Sequence, residues 1–260
     1  MLSYPSSIAL SNRTLNHLAD LIRTHRHQHR SHWRRLNPGQ QALLALAHLR
    51  NGDPFTRLAA GFGIGTATAW RYVREAITLL TAAAGDLAAA MTRIRRLAYA
   101  ILDATPIPID RVADQKPYYS GKHKRHGVNV QVIADPAGRL VWASPALPGA
   151  THDLTAAPTH DIITALSSAD VTTFADRGHQ GADGTIRTPS KRHRRRPRLS
   201  RHQKAVNQSL ARVRAPGERA TATLKTWRIL TKLRCYPRRA TAIVQAILAL
   251  HHVENPTHGS

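Results

Sequence analysis

Residues 171–181, V-T-T-F-A-D-R-G-H-Q-G, open as an apolar, β-branched run, present one carboxylate at Asp176, and break at Arg177-Gly178. Val, Thr and Phe favour a pleated strand, and the Arg-Gly pair ends it. The stretch therefore reads as a buried strand with Asp176 at its mouth. Acid is scarce in this chain: 15 Asp and Glu stand against 38 Lys and Arg, a formal charge of +23. A carboxylate at that position calls for a reason.

Working outward, a second strand reads upstream in R-I-R-R-L-A-Y-A-I-L-D-A-T, where basic residues lead into an apolar run that ends at Asp103. Between the two, G-V-N-V-Q-V-I-A-D-P-A-G-R-L-V-W-A-S-P-A-L gives two β-rich runs around Asp-Pro-Ala-Gly, a hairpin. T-H-D-L-T-A-A-P-T-H-D-I-I-T-A-L follows, with Thr151 as a helix N-cap candidate and helical segments around Pro158. Downstream lies the basic stretch I-R-T-P-S-K-R-H-R-R-R-P-R-L-S-R-H-Q-K-A, then a helical region read in two pieces, the second starting at Pro216-Gly217. A last apolar helix, A-T-A-I-V-Q-A-I-L-A-L-H-H, follows. Strand, hairpin, helix, strand and helices in that order indicate an α/β fold with a mixed sheet. This second domain is read over 94–254.

Residues 1–90 read as a separate helical domain. Phe55, Leu58, Ala59 and Phe62 fall at helical spacing, Gly63-Ile64-Gly65 breaks the helix, and Ala69, Tyr72 and Val73 form the inward stripe of the next one. Helix, short Gly turn, helix over about 53–80 is the pattern of a helix-turn-helix module. Arg71 and Arg74 lie off the stripe and suit phosphate contact. The stretch 23–35 carries five Arg and four His and reads as a basic face rather than a metal site.

The charge excess implies a polyanionic partner, nucleic acid by default, whether the protein is an enzyme or a structural binder. Hydrophobic content of 42% supports a real core. One cysteine, Cys235, excludes an internal disulfide and fits a reducing compartment. No run approaches the roughly 18 apolar residues a membrane span needs, and the N-terminus lacks a signal-peptide pattern. A cytoplasmic protein is expected.

Three acids have unusual settings. Asp103 and Asp176 end apolar strands. Glu218 stands alone: between Gly184 and Gly217 there are eleven Lys or Arg and no acid. Singly, each has a plain structural reading as a turn former or a complement to a helix N-terminus. Together they form a set of hard oxygen ligands suited to magnesium or manganese. Two such ions about 3.5–4 Å apart can clamp the attacking and leaving oxygens of an in-line displacement at phosphorus.

Four ordered segments carry a resemblance to bacterial insertion-sequence transposases of the DDE type. A-I-L-D-A-T-P-I-P-I-D-R resembles their first-Asp segment, Y-Y-S-G-K-H-K-R-H-G through D-L-T-A-A the following hairpin region, F-A-D-R-G-H-Q-G the second-Asp segment, and R-A-P-G-E-R-A-T-A-T-L-K the segment bearing the final Glu. The resemblance implies a ribonuclease-H-like mixed sheet with flanking helices, preceded by a small all-α helix-turn-helix domain. It implies Asp103, Asp176 and Glu218 as catalytic residues and metal ligands, with two divalent ions, magnesium or manganese, as cofactors. It implies double-stranded DNA, element ends and target, as partner, no membrane, and a homodimer on paired ends. The expected activity is metal-dependent cleavage of element ends and their joining to a target; the alternative is a non-catalytic DNA-binding protein, decayed or host-adopted. Arg214, Glu218 and Lys225 fit the family signature R-x3-E-x6-K, and seven residues is about two helical turns, so Glu218 and Lys225 share a face. The tyrosine that usually precedes this signature is Ala211 here, and Arg177 and His179 replace the commoner Lys and Tyr, with little effect expected. Lys122, Lys124 and Arg125 enter the hairpin as a basic DNA-contacting segment. For His152 and Asp153 two readings stand: an accessory metal or acid-base pair, or residues placed to favour a helix N-terminus.

Overall fold

The computed structural model describes residues 7–31, 33–110, 116–182, 184–192 and 198–256, apart from the side chains of 153, 154 and 158. The chain divides into two compact units, one of residues 1–84, 225–233 and 238–260, the other of 85–224 and 234–237.

The first unit is helical: α1 (Asn12–Gln28), α2 (Pro38–Asn51), α3 (Phe55–Phe62), α4 (Thr66–Ala83) and α9 (Ala240–Glu254). Local chemistry sets the boundaries. Asn37 and Gln40 form a reciprocal capping box ahead of α2, with Pro38 at its first position. Gly63 takes φ 63° at the end of α3, the left-handed conformation glycine reaches without penalty, and the chain turns into α4. Leu58 and Ala59 of α3 bury against Ala69, Tyr72 and Val73 of α4, with Leu36, Leu44 and Ala47 completing the cluster. The stripe read from sequence is this core.

α9 departs from the domain boundary expected at 94–254. It packs on α4 and α1 within the helical unit. Ile243, Val244, Ile247, Leu248 and Leu250 are all buried. A helix apolar on more than one face needs neighbours on each, and the N-terminal helices supply them. Thr81 donates to the Ala242 carbonyl at 3.0 Å, and Ser11 N donates to Glu254 at 3.1 Å.

The basic stretch 23–35 is not one continuous phosphate-facing surface among the described residues. Glu75 of α4 draws in Arg34 at 3.2 Å and His25 at 3.6 Å, and Arg26 donates to the Leu36 carbonyl at 2.9 Å. A carboxylate with little solvent access needs cationic partners, and these residues provide them.

The second unit begins with α5 (Leu87–Ile94) and holds a mixed sheet of β1 (Ala100–Pro108), β2 (Tyr119–Ser120), β3 (Arg125–Ala134), β4 (Leu140–Ala143), β5 (Leu147–Pro148), β6 (Thr173–Ala175) and β7 (Ile186–Arg187). The order is β2-β3-β1-β6-β7, with β4 and β5 also pairing on β3. β1 runs antiparallel to β3 and parallel to β6. The helices α6 (Asp153–Thr159) and α7 (Ile162–Ser168) link β5 to β6, and α8 (Arg201–Lys225) follows β7. Residues 193–197 of the basic stretch lie outside the described residues.

Two expectations change here. β1 does not end at Asp103; it continues to Pro108 because β3 pairs with it through Pro108↔Gly127. Its pairing with β6, however, stops at Leu102↔Ala175, so Asp103 lies just past the last parallel pair. α8 is one helix and does not restart at Pro216-Gly217. An interior proline costs about 3 kcal/mol. Arg214 meets Asp103 just before it, and Gly217, Ala220 and Leu224 are buried after it, so packing on both sides overrides the local break. Among the described residues no single helix is long and apolar enough to cross a membrane.

Candidate active site

Side chains alternate across a strand, so Ile101, Asp103 and Thr105 project from one face of β1. α8 lies on that face. Gly217 presses on Ile101 so closely that a Cβ built there would meet Ile101 Cγ2 at 2.6 Å. One turn earlier, Arg214 reaches Asp103, Nη2 to Oδ1 3.7 Å. Asp176 follows the last residue of β6, beside Asp103, and the two carboxylates are near enough to repel.

Their environments differ. Burial pushes the Asp103 carboxyl above the ordinary carboxylate range, and the Asp176 charge adds to this, against a backbone hydrogen bond and Arg214. Burial acts on Asp176 in the same direction, but is outweighed by the hydrogen bond and charge of His179, by Arg214 and by the Gly178 amide, so Asp176 falls below that range. Gly178 N donates to Asp176 Oδ1 at 2.9 Å, so Asp176 also caps the short 3-10 turn that follows. The capping role and a ligand role share one residue.

Glu218 stands one turn beyond Arg214 on α8 and is exposed. Among the described residues no group of three or more His, Cys, Asp or Glu side chains is gathered to hold a metal ion. The structure thus brings Asp103, Asp176 and Arg214 together and leaves Glu218 outside that cluster. Lys225 is exposed at the end of α8. Two polar atoms of the α8 face, Arg214 Nε and Thr105 Oγ1, are buried without a hydrogen-bond partner among the described residues. Buried orphans of this kind mark places where a ligand atom fits.

On the other face, Ala104, Pro106 and Pro108 help line a 530 Å³ cavity that reaches Gly178. Tyr119, Lys122, Arg125, His126 and His152 give it aromatic and basic walls. Lys122, Lys124 and Arg125 are exposed on or beside the β2–β3 turn, with Lys124 outside the cavity lining. His152 is exposed, and Asp153 opens α6 with its side chain outside the described residues. In the helical unit, Arg71 and Arg74 are exposed on α4, and Arg74 lies over the Trp70 ring at 4.5 Å.

A family profile described as DDE superfamily endonuclease matches residues 102–252, more than half the chain. The chain belongs to the DDE superfamily endonucleases. A second profile, the helix-turn-helix of DDE superfamily endonuclease, matches residues 34–85, which hold α2, α3 and α4. No curated protein and no solved structure matches the chain. The fold is therefore a ribonuclease-H-like mixed sheet with flanking helices, preceded by a helix-turn-helix domain of the kind that accompanies DDE endonucleases, and the chain is of the DNA-binding, DNA-cleaving class.

Enzymes of this superfamily generally use divalent metals. The donor set fits such an ion in part. Two carboxylates that repel each other in a half-buried site are relieved by a cation between them, and Asp103 and Asp176 are those carboxylates. What sequence reasoning missed is the support behind Asp176. His179 is buried and contacts both Asp176 and Gln131. The signal was present: Asn129 and Gln131 interrupt an otherwise apolar strand at a period of two.

Proposed function

We propose that this chain is the transposase of an insertion sequence, binding the element's ends, cutting the DNA there and joining it to a target. The observation that carries the reading is the meeting of Asp103 and Asp176 at the end of the β1–β6 pairing, with Arg214 of α8 against them.

Asp103 and Asp176 would hold the divalent cations, magnesium or manganese, with Glu218 as the third acid from α8. When bound, the ions polarise the scissile phosphate and offset charge on the attacking and leaving oxygens. The protein's own groups do the rest. Arg214 brings guanidinium N–H groups, one of them a buried orphan, to a phosphate oxygen. Lys122, Lys124, Arg125 and Lys225 hold the DNA backbone, and Arg71 and Arg74 hold it on the helix-turn-helix. Water attacks the phosphodiester at the element's end, and the freed 3′-hydroxyl then attacks the target phosphodiester. Both steps are displacements at phosphorus without a covalent protein intermediate. The chain acts as a homodimer on paired ends.

A second reading has its own support: Glu218 is exposed and the described residues gather no three-acid cluster. A DNA binder without catalysis would look the same. The deciding experiment incubates the full chain with terminal-repeat DNA in magnesium, manganese or calcium. Cleavage in the first two, lost in Asp103→Asn and in Asp176→Asn while end binding persists, supports the transposase. Normal cleavage by Asp103→Asn overturns the assignment, and binding without cleavage in any metal favours the second reading. Cleavage without joining would leave a plain nuclease.

A further inference from the structure

We propose that His179 is a positioning residue: its buried ring, set between Gln131 and Asp176, fixes Asp176 in one orientation as a cation ligand, backed by side-chain amides that end on the Thr151 carbonyl. The inference rests on the endonuclease reading of Asp176.

The chain of hydrogen bonds has one unambiguous end. A backbone carbonyl only accepts, so the Asn129 side chain must turn its amide nitrogen to Thr151 O, at 3.0 Å. That leaves Asn129 Oδ1 as an acceptor, and Gln131 Nε2 donates to it at 3.3 Å. Gln131 Oε1 then faces His179 Nε2 at 2.7 Å. On the opposite side of the ring, His179 Nδ1 donates to Asp176 Oδ1 at 2.8 Å. Asn129 and Gln131 alternate on β3 and so share one face, which puts the relay on a rigid element.

The environment suits the role. His179 is 0% exposed and Gln131 1%. For Asp176 the consequence is directional. Its Oδ1 takes both the His179 ring and the Gly178 amide, and Oδ2 has no hydrogen bond among the described residues. The carboxylate is held in one orientation with one oxygen to offer. Outer ligands that orient a metal-binding group in this way typically matter by about 10–100-fold in metal affinity or activity.

Two substitutions separate the two ends of the ring. In His179→Asn the side-chain nitrogen falls where Nδ1 lay, keeping the donor to Asp176. In His179→Gln it reaches toward Gln131 and leaves Asp176 without its donor. Manganese binding to the DNA-free full chain, followed by the spin-resonance signal of the free ion, reads the effect directly. The expected result is about 10–100-fold weaker binding in His179→Gln, with His179→Asn closer to wild type. Equal affinity in wild type and both variants overturns the proposal, as does equal loss in both. Wild-type protein that binds no manganese overturns the endonuclease reading instead, so the two failures are distinguished.

Discussion

Asp103 and Asp176 show how their hydrogen-bonding and charged partners separate two identical side chains. Asp103 is driven above the ordinary carboxylate range chiefly by burial, and Asp176 is drawn below it despite burial, by His179, Arg214 and the Gly178 amide. The signs for stability are opposite. A raised acid stabilises the fold at low pH, and that contribution is lost as pH rises through its unfolded value towards the folded one. A depressed acid contributes above its unfolded value and loses this as pH falls through the folded one. At neutral pH Asp103 therefore burdens the metal-free protein. Asp103→Asn should raise the melting temperature of metal-free protein at pH 7 while abolishing cleavage, and the gain should shrink towards pH 4. A fall in melting temperature at pH 7 would show that the Arg214 pair outweighs burial. Because a ligand carboxylate must be ionised, metal affinity should also keep rising with pH above the usual aspartate range.

At the scale of elements, the site depends on how α8 sits on β1. Gly217 allows the approach and Arg214 uses it. Gly217→Ala tests the balance of two terms. Alanine is favoured over glycine inside a helix by about 0.5–1 kcal/mol. Against this, the new methyl would meet the Cγ2 of Ile101, a β-branched residue 1% exposed, at 2.6 Å. Overpacking of this kind costs about 1–3 kcal/mol, so the clash wins. The substitution should lower stability to denaturant by about 1–2 kcal/mol, and move Arg214 away from Asp103, lowering cleavage more than end binding. Unchanged stability would mean that α8 is not pressed on the sheet as described. Packing on both sides also explains why Pro216 does not break the helix: its local cost is real, but Arg214 meets Asp103 just before it and Gly217, Ala220 and Leu224 are buried after it.

For the whole molecule, the chain's two ends build one helical unit. α9 buries Ile243, Val244, Ile247, Leu248 and Leu250, and its Glu254 accepts from Ser11 and Thr14. Ending the chain at residue 237 would expose the apolar surfaces of α4 and α1. Five buried aliphatic side chains at about 1.5–3 kcal/mol each are comparable to the whole stability of a typical domain. The truncated protein should lose the cooperative unfolding of the helical unit, seen by calorimetry, together with specific end binding. Retention of both would show that α1–α4 fold alone.

Much was legible in the residues themselves. The helix-turn-helix stripe of Leu58, Ala59, Ala69, Tyr72 and Val73, the hairpin around Asp135-Pro136-Ala137-Gly138, and the end of β6 at Asp176 all follow from local periodicity and turn chemistry. These are short-range preferences, and they operate wherever the segment lies. Tertiary structure alone decided the rest: that β1 runs on to Pro108 because β3 pairs with it, that α8 survives its proline, that α9 joins the N-terminal helices, and that His179 connects Asp176 to Gln131. Each of those depends on a partner distant in sequence, and the free energy of burial and of paired polar groups overrode what the local residues preferred.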